Sequence, residues 1–334
     1  MSSRIFHYLF LIGLLSIFTS NISAQKLSRI TVQGNQFVNE QGEKVIFRGL
    51  NASDPDNLEK AGHWDKAYFE EIKNWGATIV RFPVHPRAWN ERGKKAYLKL
   101  LDNGVQWATE LGLYVVMDWH SIGNLKEEKF QHEMYETDFE ETLKFWKIIA
   151  KRYGDNPTVA FYELFNEPTL GGGKYGKCSW SEWKLMMEQT IDLIRKKGGL
   201  GVPLVAGFNW AYFLNDVANN PIEATGIGYV SHPYPQKRKK PWEAQWIKDW
   251  GFVKEKYPLM LTEIGFCEPE ARGAHIPVIS DESYGEAITA YCDTKDISYV
   301  VWVFDPEWSP MLFLDWAFTP SRQGRFFKEQ LQGY

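Results

Sequence analysis

Three cysteines in 334 residues, none of them in a Cys-X-X-Cys pair, give this chain neither a disulfide framework nor a zinc-ribbon pattern. Cys178, Cys267 and Cys292 are odd in number, so at least one thiol lacks a partner within the chain. The seven histidines are scattered, and His132-Glu133 lacks the second histidine of a zinc-binding helix. Neither a metal nor any other cofactor is therefore expected. Positive charge is also short: 38 Lys and Arg stand against 42 Asp and Glu, which argues against nucleic acid or anionic lipid as the partner. Gly171-Gly172-Gly173 lacks the Gly-Lys-Ser/Thr ending of a phosphate loop and reads as a flexible loop edge. No Pro/Ser/Thr-rich linker divides the chain, so one domain and a monomer are expected.

Long apolar runs are likewise absent, except at the start. A short basic opening, Met1-Ser2-Ser3-Arg4, leads into an apolar stretch from Phe6 to Phe18 and ends at Asn21-Ile22-Ser23-Ala24. This is the layout of a secretory signal peptide. The stretch falls short of the ~20 residues of a spanning helix, and no cysteine near its end offers a lipid anchor. The expectation is a signal peptide over 1–24 and an exported domain over 25–334, extracellular or periplasmic and off the membrane after cleavage.

What the chain has in quantity is extended apolar runs alternating with helical patterns. Ile30–Val38 and the polar turn Glu40-Gln41-Gly42-Glu43 predict a hairpin that closes the bottom of a barrel. Strands are then expected to end near Asn51, Val84, His120, Glu167, Trp210, Tyr234, Glu263 and Phe304. Helices are expected over Asp65–Trp75, Lys94–Leu111, Phe139–Tyr153, Ser181–Lys197 and Glu282–Cys292. Eight such units predict an α/β fold, a single (β/α)8 TIM barrel whose site lies at the C-terminal ends of its strands. The loops Ser121–Glu136 and Thr169–Trp180 are expected as cleft walls, with Asp305–Pro310 closing one end. Asn51-Ala52-Ser53 is formally a glycosylation sequon, but Asn51 at a strand tip would face the site and escape modification.

Two of these runs end on a carboxyl. Phe161-Tyr162-Glu163-Leu164-Phe165 stops at Asn166-Glu167-Pro168, where Pro168 has no N–H to continue a ladder, and Leu259-Met260-Leu261-Thr262 ends at Glu263. Paired strand-tip carboxyls are what glycoside hydrolysis uses, one to protonate the leaving oxygen and one to attack or to activate water. Aromatic residues make up 16% of the chain, a slight lean toward flat surfaces on which sugars stack. Taken singly, Arg81 reads as an ion-pair partner, His120 and His232 as core histidines, and Trp302 as barrel filling. Their order along the chain changes that reading. Arg81 in Ile79-Val80-Arg81-Phe82-Pro83, His120, Asn166-Glu167-Pro168, His232 and Tyr234 in His232-Pro233-Tyr234, Glu263, and Trp302 together resemble glycoside hydrolase family 5, retaining endo-β-glycanases that include many cellulases and mannanases. The resemblance runs from about Ile30 to Gly333.

That resemblance implies Glu167 as acid/base and Glu263 as nucleophile. It also implies Arg81, His120, Asn166, His232, Tyr234 and Trp302 as substrate-binding residues, with Asn166 on the sugar 2-hydroxyl and Trp302 under the cleaved sugar. Arg81 and Tyr234 would hold Glu263 ionised and lower its pKa. Trp210 and Trp308 are further candidates for the cleft; Trp89, Tyr212, Trp242 and Trp316 are weaker ones. The expected substrate is a β-linked polysaccharide or oligosaccharide, most specifically β-1,4-glucan. A β-mannanase is the alternative within the family, and a non-catalytic sugar-binding barrel the alternative outside it.

Overall fold

The computed structural model describes residues 27–169 and 173–333. The expected leader at 1–24, and Gly171 and Gly172 of the glycine run, lie outside the described residues. Strands β1 (Thr31–Gln33) and β2 (Gln36–Val38) form an antiparallel hairpin. Eight parallel strands then close a barrel: β3 (Arg48–Asn51), β4 (Ile79–Val84), β5 (Tyr114–Trp119), β8 (Val159–Glu163), β10 (Val202–Ala206), β11 (Gly228–Val230), β12 (Leu259–Ile264) and β13 (Ser298–Val301). Outside it, β6 (Ile122–Asn124), β7 (Lys129–Phe130) and β9 (Glu167–Pro168) make a small sheet above the mouth. The expected (β/α)8 architecture is the observed one.

Strands buried on both faces explain the continuous apolar runs, and helices cover the outside. Phe139–Tyr153 is representative: Asp138 caps it by accepting from the Glu141 N–H, and Phe145, Trp146, Ile149 and Tyr153 form its buried stripe. The following helix, Trp180–Lys196, opens with a capping box between Ser179 and Glu182. Close packing sets some residues outright. A Cβ on Gly49 of β3 would lie 2.1 Å from the Ile79 carbonyl oxygen of β4.

Inside the barrel the period-two alternation of strands builds layers. Ile79, Val116, Phe161, Leu204, Val230, Met260 and Val300 form an apolar bottom layer, into which Phe37 of the hairpin packs with its ring 4.9 Å from that of Phe161. The hairpin therefore plugs the barrel floor, as expected. Two residues further along, most of these positions become polar: Arg81, Asp118, Glu163 and Thr262 on the strands and His232 just past β11, with Ala206 and Trp302 as the exceptions.

Boundaries differ in places. β8, β10, β11 and β13 end three to four residues before the expected tips at Glu167, Trp210, Tyr234 and Phe304. The apolar run continues past the ladder because the chain still crosses a buried mouth, where the N–H groups of Asn166 and Glu167 bond to the carbonyls of Trp119 and Ser121 instead. The helix expected over Glu282–Cys292 runs on to Lys295 and ends at left-handed Asp296. Cys178, Cys267 and Cys292 are all free thiols, the last two buried.

Candidate active site

Arg81 forms the floor of the site. Its guanidinium is fully buried and touches three carboxylates: Glu163 through Nε at 2.7 Å, Glu263 at 3.0 Å and Asp118 at 3.0 Å. It also donates to Oδ1 of Asn51 at 2.9 Å and Oδ1 of Asn166 at 2.6 Å. Asn51 spends its own amide N–H on the Thr262 carbonyl at 2.9 Å and is fully buried. Burial opposes the charge on Arg81, but Asp118, Glu163 and Glu263 hold it more firmly protonated than a free arginine.

Above Arg81 stand the two glutamates. Each offers an oxygen to a group with His232 whose members lie within 4.8 Å of one another. His232 bridges them: its Nδ1 is 2.9 Å from Oε1 of Glu167 and 3.7 Å from Oε2 of Glu263. Its Nε2 meets the Thr262 hydroxyl at 2.9 Å, and that hydroxyl donates to Oε1 of Glu163 at 2.9 Å. Thr262 has one proton to give, so its oxygen accepts from Nε2–H; Nδ1–H is then free to donate to Glu167, as an imidazolium does. Burial opposes this charge, but Glu263, Glu163 and Glu167 push the His232 pKa up to about 9.

A stability effect follows from that shift. The native state holds the His232 proton up to about pH 9, whereas an unfolded histidine releases it near ~6.5. The stabilisation is complete below the lower value and drains away as pH rises toward the upper one. Between pH ~6.5 and ~8 the unfolding free energy of the wild type should fall relative to His232→Asn, by up to about 1.4 kcal/mol per pH unit. Parallel denaturant titrations of the two proteins would show it, and coincident slopes would refute it.

Glu263 receives the Tyr234 hydroxyl on Oε2 at 2.8 Å and Arg81 on Oε1 at 3.0 Å. Its pKa is nevertheless moved upward, against the lowering expected from these two donors. Burial is the largest influence and Glu167 adds repulsion; His232, Arg81 and Tyr234 only limit the rise. His120 lies beside this cluster, with Nδ1 2.6 Å from Oδ2 of Asp118 and its ring parallel to Trp302 at 5.3 Å. Burial first, then the nearby His85, Arg81 and His232, holds His120 well below an ordinary histidine pKa, so it is neutral.

A cavity of about 570 Å³ opens over these groups. Its lining includes His120, Asn166, Glu167, Tyr234 and Glu263, with Trp210, Trp302 and Trp308 as half-buried walls. Ile122, Gln131 and Tyr135 come from the loop after β5, and Ile276 and Pro277 from the loop after β12. Arg81 and His232 sit beneath the surface and support the lining. Trp89, Tyr212 and Trp242 are packing residues, and Trp316 stacks on His63 away from the cavity.

A family model, cellulase (glycosyl hydrolase family 5), matches residues 38–307. The chain belongs to glycosyl hydrolase family 5. It is a glycoside hydrolase. A β-glucanase from Saccharophagus degradans is 47% identical in its native structure, with 92% of this chain and 94% of that one covered at a TM-score of 0.90. The same enzyme, solved with cellotetraose, is 46% identical over the same shares. An endoglucanase of Paenibacillus polymyxa is 22% identical over 85% of this chain and 82% of its own length. An endoglucanase A of Butyrivibrio fibrisolvens is 24% identical, and this chain spans 54% of it.

Within this family 5 site, sequence reasoning passed over Asp118, Glu163, Thr262 and Lys237. A signal for the first two was present: Asp118 and Glu163 are carboxyls inside apolar strands, and a buried Arg81 requires such partners.

Proposed function

We propose that this family 5 enzyme is an exported endo-acting β-glucanase that cleaves β-1,4-linked glucan with retention of configuration. The observation that carries the reading is the Glu167–Glu263 pair, whose nearest carboxylate oxygens fall within 4.8 Å. Retaining enzymes keep their carboxyls about 5–5.5 Å apart, whereas inverting ones leave about 6.5–9.5 Å for a water. The cellotetraose complex of the Saccharophagus degradans β-glucanase favours glucan over mannan as the substrate.

In the first step Glu263 attacks the anomeric carbon while Glu167 gives its proton to the glycosidic oxygen, so the C–O bond breaks and a glycosyl–Glu263 ester forms. His232 donates to Oε1 of Glu167, which leaves Oε2 to carry the transferred proton. In the second step Glu167, now a carboxylate, takes a proton from water, whose oxygen displaces Glu263. Asn166 holds the 2-hydroxyl: Arg81 fixes its Oδ1, and its buried Nδ2 has no partner among the described residues. Trp302 supports the sugar that is cleaved, and Trp210 and Trp308 flank it.

Depolymerisation of a glucan and mannan panel, with NMR of the first anomer released, tests this function. The expected outcome is mid-chain cleavage of β-1,4-glucan and a β-anomer. A preference for mannan, or an α-anomer appearing first, would falsify it; tight binding without cleavage of any glycan would leave a sugar-binding barrel.

Export is a separate expectation. N-terminal sequencing of the protein from the medium or periplasm should begin near Gln25, since the apolar leader ends at Ile22-Ser23-Ala24. An intact Met1 recovered in the membrane fraction would mean an anchor instead.

A further inference from the structure

Around the barrel the strands follow the order β8, β10, β11, β12, β13, β3, β4, β5 and back to β8. Glu167 follows β8 and Glu263 lies on β12, so the two carboxyls divide the mouth into two arcs. One arc, β13 through β5, carries Trp302, Arg81 and His120, and Arg81 holds Asn166 from that side. The other arc contains β10 and β11 alone, and the groups it brings to the cavity include Trp210 and Lys237. A glycosidic bond held between Glu167 and Glu263 has its 2-hydroxyl-bearing sugar over the first arc. The departing sugar then falls over the second.

We propose that Lys237 is a specificity-determining residue for the leaving-group half of the substrate, donating from its ammonium to hydroxyls of the departing sugar while that sugar stacks on Trp210. The proposal rests on Glu167 as acid and Glu263 as nucleophile. Lys237 closes the short turn after Tyr234, its N–H bonded to the Tyr234 carbonyl at 3.0 Å, so one turn carries both the Glu263 partner and the lysine. Its Nζ donates to the Asn209 carbonyl at 2.9 Å and lies 5.2 Å from the centre of the Trp210 ring. The Asn209 carbonyl is one acceptor for three N–H groups. Of the described residues lining the cavity, Lys237 is the one with a lysine or arginine head. Burial lowers its pKa while Glu167 and Glu263 pull the other way.

The local backbone supports a dedicated role. Asn209, Trp210 and Ala211 have φ of 62°, 55° and 53°, three successive non-glycine residues in the left-handed region. Such a run persists only where its surroundings over-determine it. Here Lys237 grips Asn209, Gln131 Oε1 accepts from the Trp210 indole N–H at 2.7 Å, and the His232 N–H bonds to the Ala211 carbonyl at 3.0 Å. At Gly207, just before the run, a Cβ would lie 1.8 Å from the Phe213 carbonyl oxygen. The result presents the half-buried Trp210 face to the cavity with an ammonium beside it.

The experiment compares cellotetraose with 2,4-dinitrophenyl β-cellobioside, which lacks a departing sugar. For Lys237→Met, kcat/KM on cellotetraose should fall about tenfold to a hundredfold, the range of one or two charged hydrogen bonds, while the aryl glycoside loses less than threefold. Lys237→Arg should recover part of the loss. Equal losses on both substrates would overturn the proposal in favour of a general packing role or the opposite arc, and unchanged cellotetraose kinetics would overturn it outright. The retained aryl rate reports an intact fold. If instead the acid–nucleophile reading fails, a 2-fluoro glycoside with a dinitrophenyl leaving group will label a residue other than Glu263 in the wild type, or none, before any variant is compared.

Discussion

Glu263→Ala is expected to reduce hydrolysis of both polysaccharide and aryl glycosides to the level of the buffer blank, with oligosaccharide binding preserved. Under the proposed mechanism the loss is total in kind, because Glu167 is assigned to the glycosidic oxygen and the other nearby carboxylates, Asp118 and Glu163, are fully buried on Arg81. The fold should survive. Arg81 keeps two of its three carboxylates, and His232 keeps Glu167 at 2.9 Å. Removing one of two carboxyls packed this closely also relieves repulsion, so the melting temperature should hold or rise. Azide added to this variant should take the place of the missing carboxylate and give a glycosyl azide of inverted configuration. Calorimetry with a cello-oligosaccharide and product NMR check both halves. Polysaccharide turnover at the wild-type rate would remove Glu263 from the mechanism.

Glu167→Ala should behave in the opposite way toward leaving groups. Proton transfer by a placed acid is worth ~10²–10⁴ in rate, so polysaccharide hydrolysis should drop by about that factor. A dinitrophenyl glycoside departs with little help, so its first step should be nearly spared. The glycosyl–Glu263 ester then accumulates because water has lost its base, and rapid mixing should show a burst. Azide needs no base, and with it turnover should recover with retained configuration, in contrast to the inverted azide from Glu263→Ala. Equal losses on aryl and polysaccharide substrates, without a burst, would contradict this division of roles.

Part of this arrangement was legible in the chain because it is local. Apolar runs and helical stripes are short-range patterns: the helices Lys94–Leu111 and Phe139–Tyr153 follow the expected boundaries to the residue. Asn166-Glu167-Pro168 was legible for the same reason, since proline's missing N–H marks the end of a ladder wherever the strand lies. Glu163 was less visible. Four residues before Glu167 in an apolar strand, it looks like an isolated polar interruption until Arg81, 82 positions earlier, is brought to 2.7 Å.

The sequence by itself determined the barrel class, the plugging hairpin and the residue types at the strand tips, because a side-chain period of two or 3.6 is written within a few residues. Tertiary structure alone decided where those groups point. Along β12, Met260 and Thr262 take the inward positions of an ordinary strand, which would turn Glu263 outward. The pairing with β13 slips between Leu261 and Ile264, and such a slip re-aims a side chain, so Glu263 also reaches the mouth. The left-handed run at Asn209–Ala211 is a second case, since none of its residues is a glycine that would announce it. Register and barrel closure join residues far apart in the chain. No local pattern encodes a contact whose two halves meet only when the sheet closes.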